Sequence, residues 1–199
     1  MPYMKKIKRN ANKPLKEKIL SVARKTILKD GVSKLSMRKI AAEIGFSPTA
    51  IYTYFKNKDE IVFCVCDEIF AQVAQLIAIA IKEDAAPETN LKNCMLAYAS
   101  FGLNNRDSYK IAFMAPRSEK TFFRFLESGA HGMKAYGMVL DIAQKVSPEP
   151  EAAVQVIWSA MHGLVSNLIQ NHNFPWEEPD KLINLAIDTL IAGFGRSGK

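Results

Sequence analysis

The chain has 199 residues, of which 48% are apolar and 24% are charged, enough to bury a core in one ordinary domain or two small ones. Its net charge of +7 is uneven: residues 1–58 carry 15 Lys and Arg against 3 acidic residues, and residues 59–199 carry 12 against 17. Apolar spacing is helical nearly throughout, so we expect an all-α protein of about nine helices with no cofactor.

Cysteine content and hydropathy exclude several other classes of protein. Cys64, Cys66 and Cys94 lack the spacing of a structural zinc site, so we expect reduced thiols and no metal. No secretory signal is visible, and the most apolar stretch, residues 69–81, is too short to span a bilayer. We therefore expect a cytoplasmic protein that does not associate with membranes.

The first two predicted segments are a basic arm and a helix. Residues 1–14 hold five lysines and arginines with little apolar content, which is typical of an arm that could lie along DNA or touch nothing. A helix should follow over residues 15–29, and Asp30-Gly31 should end it. With residues up to 60, it would form a three-helix head.

Two short helices come next in that head. Ser36 is a good N-cap for a helix carrying Ile40 and Ile44 on one face, and Gly45 should end it in the left-handed conformation. Ser47 is a second N-cap, with Pro48 at the first helical position of a helix reaching Phe55. Helix, glycine turn and helix together are the pattern of a helix-turn-helix.

The second of these helices carries groups suited to a DNA groove. Short and aromatic side chains reach base edges and phosphates in the major groove, and here they are Thr49, Ala50, Tyr52, Thr53 and Tyr54. The basic surplus falls on the same segment, as expected of a nucleic-acid-binding module. We expect one of the two tyrosines to cover the core of the head in part.

Residues 61–199 should form a larger helical domain for ligand binding and dimerisation. Helices are expected over residues 59–82, 88–103, 108–114, 151–172 and 180–194, and over 118–146 as one helix or as two pieces broken near Gly129 and Gly132. The last two are apolar on more than one side, which favours a dimer interface over the interior pair of a monomer. That interface is predicted to contain Trp158, Met161, Val165, Leu168, Ile183, Ile187 and Leu190.

The helix-turn-helix residues resemble a known family. The run from Ser36 to Phe46, followed by Ile51 to Lys58, is similar to the N-terminal domain of the TetR family of bacterial transcriptional regulators. The stretch from Trp158 to Gly163 resembles the Trp-His-Gly motif of one subgroup of their regulatory domains. The resemblance implies a homodimer of helical subunits, a palindromic double-stranded DNA operator and a small-molecule effector.

The resemblance also implies a set of DNA-binding residues. Arg38 matches a residue at the start of the second helix that reaches a base or a phosphate, and Thr49, Ala50 and Thr53 match base-facing positions. Tyr52, Tyr54 and Lys58 match positions that hold phosphates; the usual residue at position 54 is His. From the helix starts, Ser36 and Lys58 are also placed where backbone N–H groups meet a phosphate. The full predicted surface is Ser36, Arg38, Ser47, Thr49, Ala50, Tyr52, Thr53, Tyr54 and Lys58.

The central region is rich in Met, Phe and Tyr, which suits an apolar or aromatic effector. We expect a repressor that this effector releases from DNA. The alternative is a regulator or architectural factor that binds DNA and needs no ligand. The candidate pocket residues, several of which could equally be plain core, are Phe63, Tyr98, Phe101, Met114, Phe122, Phe125, Met133 and His162.

A helical enzyme is a remote alternative. Cys94 with His131 or His162 could form a thiol–imidazole pair, although nothing in their spacing supports it. The sequence shows no glycine-rich phosphate loop and no nucleophile elbow. We therefore expect no catalytic residues and no enzymatic activity.

Overall fold

The structure is a computed structural model that describes residues 13–127 and 129–194, so the arm prediction for residues 1–12 lies outside the described residues. All regular structure in the described part of the chain is helical, as predicted. The ten α-helices are α1 (Lys13–Asp30), α2 (Met37–Ile44), α3 (Pro48–Tyr52), α4 (Lys58–Ala80), α5 (Pro87–Asn104), α6 (Arg106–Tyr109), α7 (Glu119–Phe125), α8 (His131–Ala143), α9 (Pro150–Gln170) and α10 (Pro179–Phe194).

The described residues form two compact units, and each unit combines two segments that are separate in the sequence. Unit 1 comprises residues up to 68 together with 110–125, and unit 2 comprises 69–109 together with 126 onwards. Helix α4 therefore starts in unit 1 and ends in unit 2. The division of function at residue 60 stays a prediction.

Unit 1 contains a small head around one apolar core. Helix α1 packs against α2, and α2 packs against α3. The core side chains of the head are Ile19, Leu20, Ala23, Ile27, Leu35, Ile40, Ala41, Ile51 and Phe55, all buried. They recur every three or four residues on each helix, so each helix turns one face inward. Ile44, which shares a face of α2 with Ile40, is only half-buried.

Unit 2 is a layered helical bundle. Helix α5 packs against α8, α9 and α10, and α9 also packs against α8 and α10. Helix α5 comes close to α9 at Gly102, where an added Cβ would lie 2.5 Å from a Val165 methyl and 2.9 Å from the Tyr109 ring. Glycine at 102 is therefore what allows this close approach.

Some helix ends differ from the sequence prediction. The predicted helix over 108–114 is an α-helical turn, Arg106–Tyr109, followed by a π-helix, Lys110–Met114, with an Ala115 N–H to Lys110 carbonyl bond of 2.9 Å. Helix α3 ends at Tyr52 rather than Phe55. The stretch 118–146 forms two helices, α7 and α8, which is the second of the two alternatives.

Two helices, α4 and α9, are long and apolar enough to cross a membrane by length and composition alone. However, 44% of the most apolar window of α4 and 39% of that of α9 are buried inside the protein. Less than half of each window is therefore covered by the rest of the protein.

Candidate nucleic-acid interface and regulatory region

The turn between α2 and α3 is fixed by local capping, as the sequence predicts. The Ser36 hydroxyl accepts a hydrogen bond from the Lys39 N–H at 3.2 Å, and Gly45 ends α2 in the left-handed conformation at φ 73°. The Ser47 hydroxyl accepts one from the Ala50 N–H at 3.3 Å. These caps supply partners for backbone groups that a short helix leaves free, so they set the direction in which α3 leaves the turn.

Helix α3 turns one face to the core and the other to solvent. Ile51 is fully buried, whereas its neighbour Tyr52 is 55% exposed. Thr49 and Thr53 are also exposed, and Ala50 is half-buried. The Thr53 hydroxyl donates to the Ala50 carbonyl at 2.7 Å, so its oxygen can still accept a hydrogen bond. An outward face of short side chains is what entry into a major groove requires.

Tyr54 and Phe55 complete the head on the side beyond α3. Tyr54 is half-buried and Phe55 is buried, with the Lys16 ammonium 5.9 Å from the Phe55 ring centre. Of the two tyrosines considered for a partial core role, Tyr54 is therefore the one that is partly covered, and Tyr52 is the one that projects.

The start of α4 is also capped. The Asn57 side-chain oxygen accepts from the Glu60 N–H at 2.9 Å, and the Glu60 carboxylate accepts from the Lys56 N–H at 2.6 Å. This reciprocal pair resembles a capping box. Lys58 is the first residue of α4 and is half-buried, and Arg38, second residue of α2, is exposed. All nine predicted DNA-binding residues thus lie in unit 1, on or beside three consecutive helix starts.

The eight candidate pocket residues are split between the two units. Phe63, Met114, Phe122 and Phe125 belong to unit 1, and Tyr98, Phe101, Met133 and His162 belong to unit 2. Within unit 1 the Phe63 and Phe125 rings lie 4.9 Å apart, whereas Phe122 is 49% exposed. Met114 and Met133 are half-buried, and Phe101 is buried.

Two arginines that the sequence analysis missed lie against the unit 1 aromatic pair. The Arg124 guanidinium carbon is 3.9 Å from the centre of the Phe63 ring, and that of Arg117 is 5.3 Å from the Phe125 ring. An Arg stacked on an aromatic face is held by the ring quadrupole and by contact area. The spacing Arg117 to Arg124 on one segment gives no periodic signal that would have singled them out.

Unit 2 contains a polar chain that joins two tyrosines to His162. The Tyr98 and Tyr109 hydroxyl oxygens are 2.8 Å apart, and the Tyr109 oxygen is 2.7 Å from Nδ1 of His162. The Ser166 hydroxyl lies 3.4 Å from each ring nitrogen of His162. Burial raises the pKa of both tyrosines, so both hydroxyls keep their protons and act as donors. The sequence analysis named Tyr98 and His162 but missed Tyr109 and Ser166.

The cysteines give no support to an enzyme. All three are free thiols, and burial raises the pKa of Cys94 to about 11. A nucleophilic cysteine needs the opposite shift, because the thiolate is the reactive species. Across residues 13–127 and 129–194, no group of three or more His, Cys, Asp or Glu side chains could hold a metal ion.

Most of the predicted dimer residues serve the core of their own chain. Met161, Val165, Leu168, Ile183 and Ile187 are buried in the single subunit, Leu190 is half-buried, and Trp158 is 52% exposed. The apolar stripes of α9 and α10 are broad, so the sequence alone does not distinguish the side that faces the core from the side that faces outward. Leu185 and Val156, which were not predicted to be at the interface, are 63% and 49% exposed.

Two parts of the chain match known protein families. The family described as bacterial regulatory proteins, tetR family, matches residues 19–64, and the tetracyclin repressor-like C-terminal domain matches residues 91–190. An uncharacterized HTH-type transcriptional regulator of Haemophilus influenzae is 36% identical over 63 residues, covering 32% of this chain and 34% of that protein. The chain thus spans about a third of the length of the curated relatives it matches.

Solved structures share the fold over most of the chain. The transcriptional regulator FadR from Bacillus subtilis, in complex with stearoyl-CoA, has a TM-score of 0.72 at 20% identity and covers 89% of this chain and 98% of its own. A TetR variant from Acinetobacter baumannii, in complex with minocycline, has a TM-score of 0.61 at 20% identity and covers 89% and 94%. At these identities the likeness concerns the fold alone.

Proposed function

The chain belongs to the TetR family of bacterial regulatory proteins, and from this premise we propose that it is a sequence-specific DNA-binding transcriptional regulator. We propose further that it is a cytoplasmic homodimeric repressor, released from a palindromic operator by a small apolar or aromatic molecule. The observation that carries the proposal is the outward side of α3 and its C-cap, where Thr49, Tyr52 and Thr53 are exposed beside the capped turn.

Roles on DNA follow from chemistry and exposure. Arg38, Thr49, Ala50 and Thr53 are proposed to read bases, because guanidinium, hydroxyl and methyl groups recognise base edges in the major groove. The groups proposed to hold phosphates and set the register are Ser36, Ser47, Tyr52, Tyr54 and Lys58. The serines can do so while capping, since a hydroxyl that accepts from the backbone still has a proton to donate.

Two heads related by a two-fold axis would read two half-sites about 34–36 Å apart, or a multiple of that distance. We place the partner subunit against the accessible apolar side chains of α9 and α10, Val156, Trp158 and Leu185, with Leu190 at the edge. Exposed apolar side chains on two packed helices support an isologous four-helix interface.

Release by a small molecule is supported by the two similar structures solved with stearoyl-CoA and with minocycline. In this chain the aromatic pair of unit 1 and the tyrosine–histidine chain of unit 2 are proposed as the groups that respond. An effector can shift the protein only if it binds the state that releases DNA more tightly, by several kcal/mol for a nearly complete shift.

The test is a gel-shift titration at fixed salt on the DNA upstream of the protein's own gene, with competitor DNA. Arg38→Ala and Tyr52→Ala should each weaken specific binding by about 10-fold or more, the effect of removing a base or phosphate contact from both heads. Lys145→Ala removes the same charge from an exposed site in unit 2 and is the matched control. Unchanged affinity in both head variants would contradict the assigned surface.

Dimerisation has its own test. Sedimentation at micromolar concentration should give a dimer, and Leu185→Glu should shift the protein towards monomer, because it buries a charge at the interface. Leu126→Glu changes another exposed leucine, which is on neither α9 nor α10, and should leave the dimer intact. A wild-type protein that sediments only as a monomer would rule out the dimer.

A further inference from the structure

Phe46 is an exposed aromatic residue in the turn of the helix-turn-helix, and none of the roles assigned above uses it. It follows Gly45, the left-handed end of α2, and precedes Ser47, the N-cap of α3. Phe46 is 45% exposed. Within residues 15–60, the other exposed large apolar residues are Leu28 and Tyr52, and Tyr52 already belongs to the proposed DNA-binding surface. An apolar ring thus remains accessible directly before α3.

The turn that carries Phe46 is held by hydrogen bonds. The Phe46 N–H donates to the Ala41 carbonyl at 2.9 Å. The Gly45 N–H donates to the Ala42 carbonyl at 3.4 Å, and the two bonds together form a Schellman motif. The Ser47 hydroxyl caps α3 directly after this motif. The backbone at Phe46 is therefore ordered before any DNA binds, so binding costs little further conformational entropy there.

A Schellman motif also gives this position a structural use. The residue after the left-handed glycine is commonly apolar, because its side chain packs back on the helix that ends there. Phe46 is nevertheless 45% exposed, so packing within the head uses only part of the side chain. The remaining apolar surface can still be buried against a partner, and burial of apolar surface is favourable.

The position of Phe46 indicates which partner surface the ring meets. When a helix-turn-helix docks, the N-terminal residues of its second helix contact base edges in the major groove. Phe46 lies two residues before Pro48, the first residue of α3, and the exposed Thr49 follows. A phenyl ring has no hydrogen-bonding group with which to read the donors and acceptors of a base edge. The apolar group that the major groove presents is the C5 methyl of thymine, which Phe side chains contact.

We propose that Phe46 reads thymine, by packing its ring against the C5 methyl group of one thymine in each half-site. The inference rests on the DNA-binding function proposed above and deepens it, since it adds an apolar readout of one base to that surface. Phe46 is then a specificity-determining residue and not a phosphate contact, because a ring without a donor cannot hold a phosphate.

The expected effect follows from the size of the buried group. Removing one buried methyl group should lower affinity by about 4-fold. A symmetric operator presents this methyl group to both heads, so removing it from both half-sites should lower affinity by about 15-fold. Deoxyuridine pairs with adenine as thymidine does and lacks only the C5 methyl, so replacing thymidine with deoxyuridine removes the proposed contact alone.

The first measurement uses the wild-type protein and the palindrome that it enriches from random duplex DNA. Each thymine is replaced by deoxyuridine, one symmetric pair at a time, and affinity is measured by gel shift at fixed salt. At one pair or more, the wild type should bind the deoxyuridine operator about 15-fold more weakly. An operator in which no thymine methyl affects affinity would overturn the proposal, and this measurement needs no variant.

The second measurement assigns the methyl contact to Phe46, since Thr49, Ala50 and Thr53 also carry methyl groups that can touch thymine. Phe46→Ala should bind the thymine operator at least as weakly as wild type binds the deoxyuridine operator. Replacing that thymine should then cause no further loss, which is the coupling that a double-mutant cycle measures. Phe46→Leu keeps an apolar side chain and should retain part of the discrimination.

Phe123→Ala is the matched control. Phe123 is 57% exposed and lies on α7 of unit 1, outside the head, so its truncation should leave operator affinity and thymine discrimination unchanged. Thermal unfolding of each variant checks that the head remains folded. If Phe46→Ala weakens binding to the thymine and deoxyuridine operators by the same factor, the ring supports the turn or touches the DNA backbone, and the proposal is overturned.

The outcomes separate this inference from the proposed function. A wild-type protein that enriches no sequence would overturn both. If the protein enriches a palindrome, but wild type and Phe46→Ala discriminate thymine from deoxyuridine equally well, the proposed function stands and the thymine contact is overturned.

Discussion

The outward face of the head is formed by residues that are close together in the sequence, whereas the polar chain of unit 2 is formed by residues that are far apart. The head's outward face is built from neighbours: Ser47, Thr49, Tyr52 and Thr53 lie within seven residues and are oriented by caps three residues away. The polar chain of unit 2 joins Tyr98 to His162 across 64 positions and is held by packing. A substitution on the outward face of the head can therefore leave the fold intact, whereas a substitution in the polar chain of unit 2 disturbs the packing that holds that chain.

The largest stability effect is expected at the close approach in unit 2. Gly102→Ala should lower the free energy of unfolding by about 1–3 kcal/mol, because the new methyl overpacks Val165 and Tyr109. Gly137→Ala is the control, since a Cβ there meets nothing within 4 Å and should stabilise α8 by up to about 1 kcal/mol. Denaturant unfolding measures both. Similar values for the two variants would mean that unit 2 is not tightly packed at residue 102.

A smaller effect concerns a buried thiol of the same unit. Burial raises the pKa of Cys94 to about 11 in the folded state, from an ordinary value of 9.0. The native state therefore favours the protonated thiol, so its stabilising contribution is complete below about pH 9 and is lost as pH rises towards 11. Wild type should lose about 1–2 kcal/mol more stability over that interval than Cys94→Ala. Parallel pH profiles for the two proteins would contradict this burial effect.

At Ser47 in the head, two substitutions can separate the effect of helix capping from the effect of the proposed DNA contact. Ser47→Ala should cost about 1 kcal/mol of stability through the lost cap, whereas Ser47→Asp should keep the cap and the stability. The aspartate would repel a phosphate, so the same variant should lose operator affinity. Thermal unfolding and gel shift on both variants measure the two effects. If Ser47→Asp binds the operator as tightly as wild type, Ser47 does not contact a phosphate.

The smallest expected effect is a change in salt dependence. Lys58→Gln should weaken binding about equally across DNA sequences and should lower the slope of log affinity against log salt by about 1 for each head. Affinity measured at several salt concentrations gives this slope. A change in sequence preference instead would mean that Lys58 reads a base.

The sequence predicted the head in detail because its signals are local. Ser36, Gly45, Ser47 and Pro48 each determine their own turn, and the structure has each as expected. The end of α3 was set three residues too far, because Phe55 is apolar and fits either a helix or the turn that follows. Tyr52 and Tyr54 could be named as a pair, but without the fold the exposed one could not be told from the half-buried one.

Unit 2 was less predictable because its contacts join distant residues. The two tyrosine partners of His162 come from α5 and α6, and no spacing along the chain connects 98, 109 and 162. The outer faces of α9 and α10 could not be identified from the sequence for a related reason. Both helices are apolar on several sides, so only the packed bundle shows that Ile187 is covered and that Leu185 is not.

The proposed function requires a basic helix-turn-helix head that reads DNA as a symmetric pair. An unbiased selection from random duplex DNA at moderate salt is the most direct test of this requirement. The full-length protein should enrich a palindrome whose half-sites are centred about one helical turn apart or a multiple of it. Arg38→Ala should abolish or alter the enriched sequence. A wild-type protein that enriches no sequence would contradict the central claim.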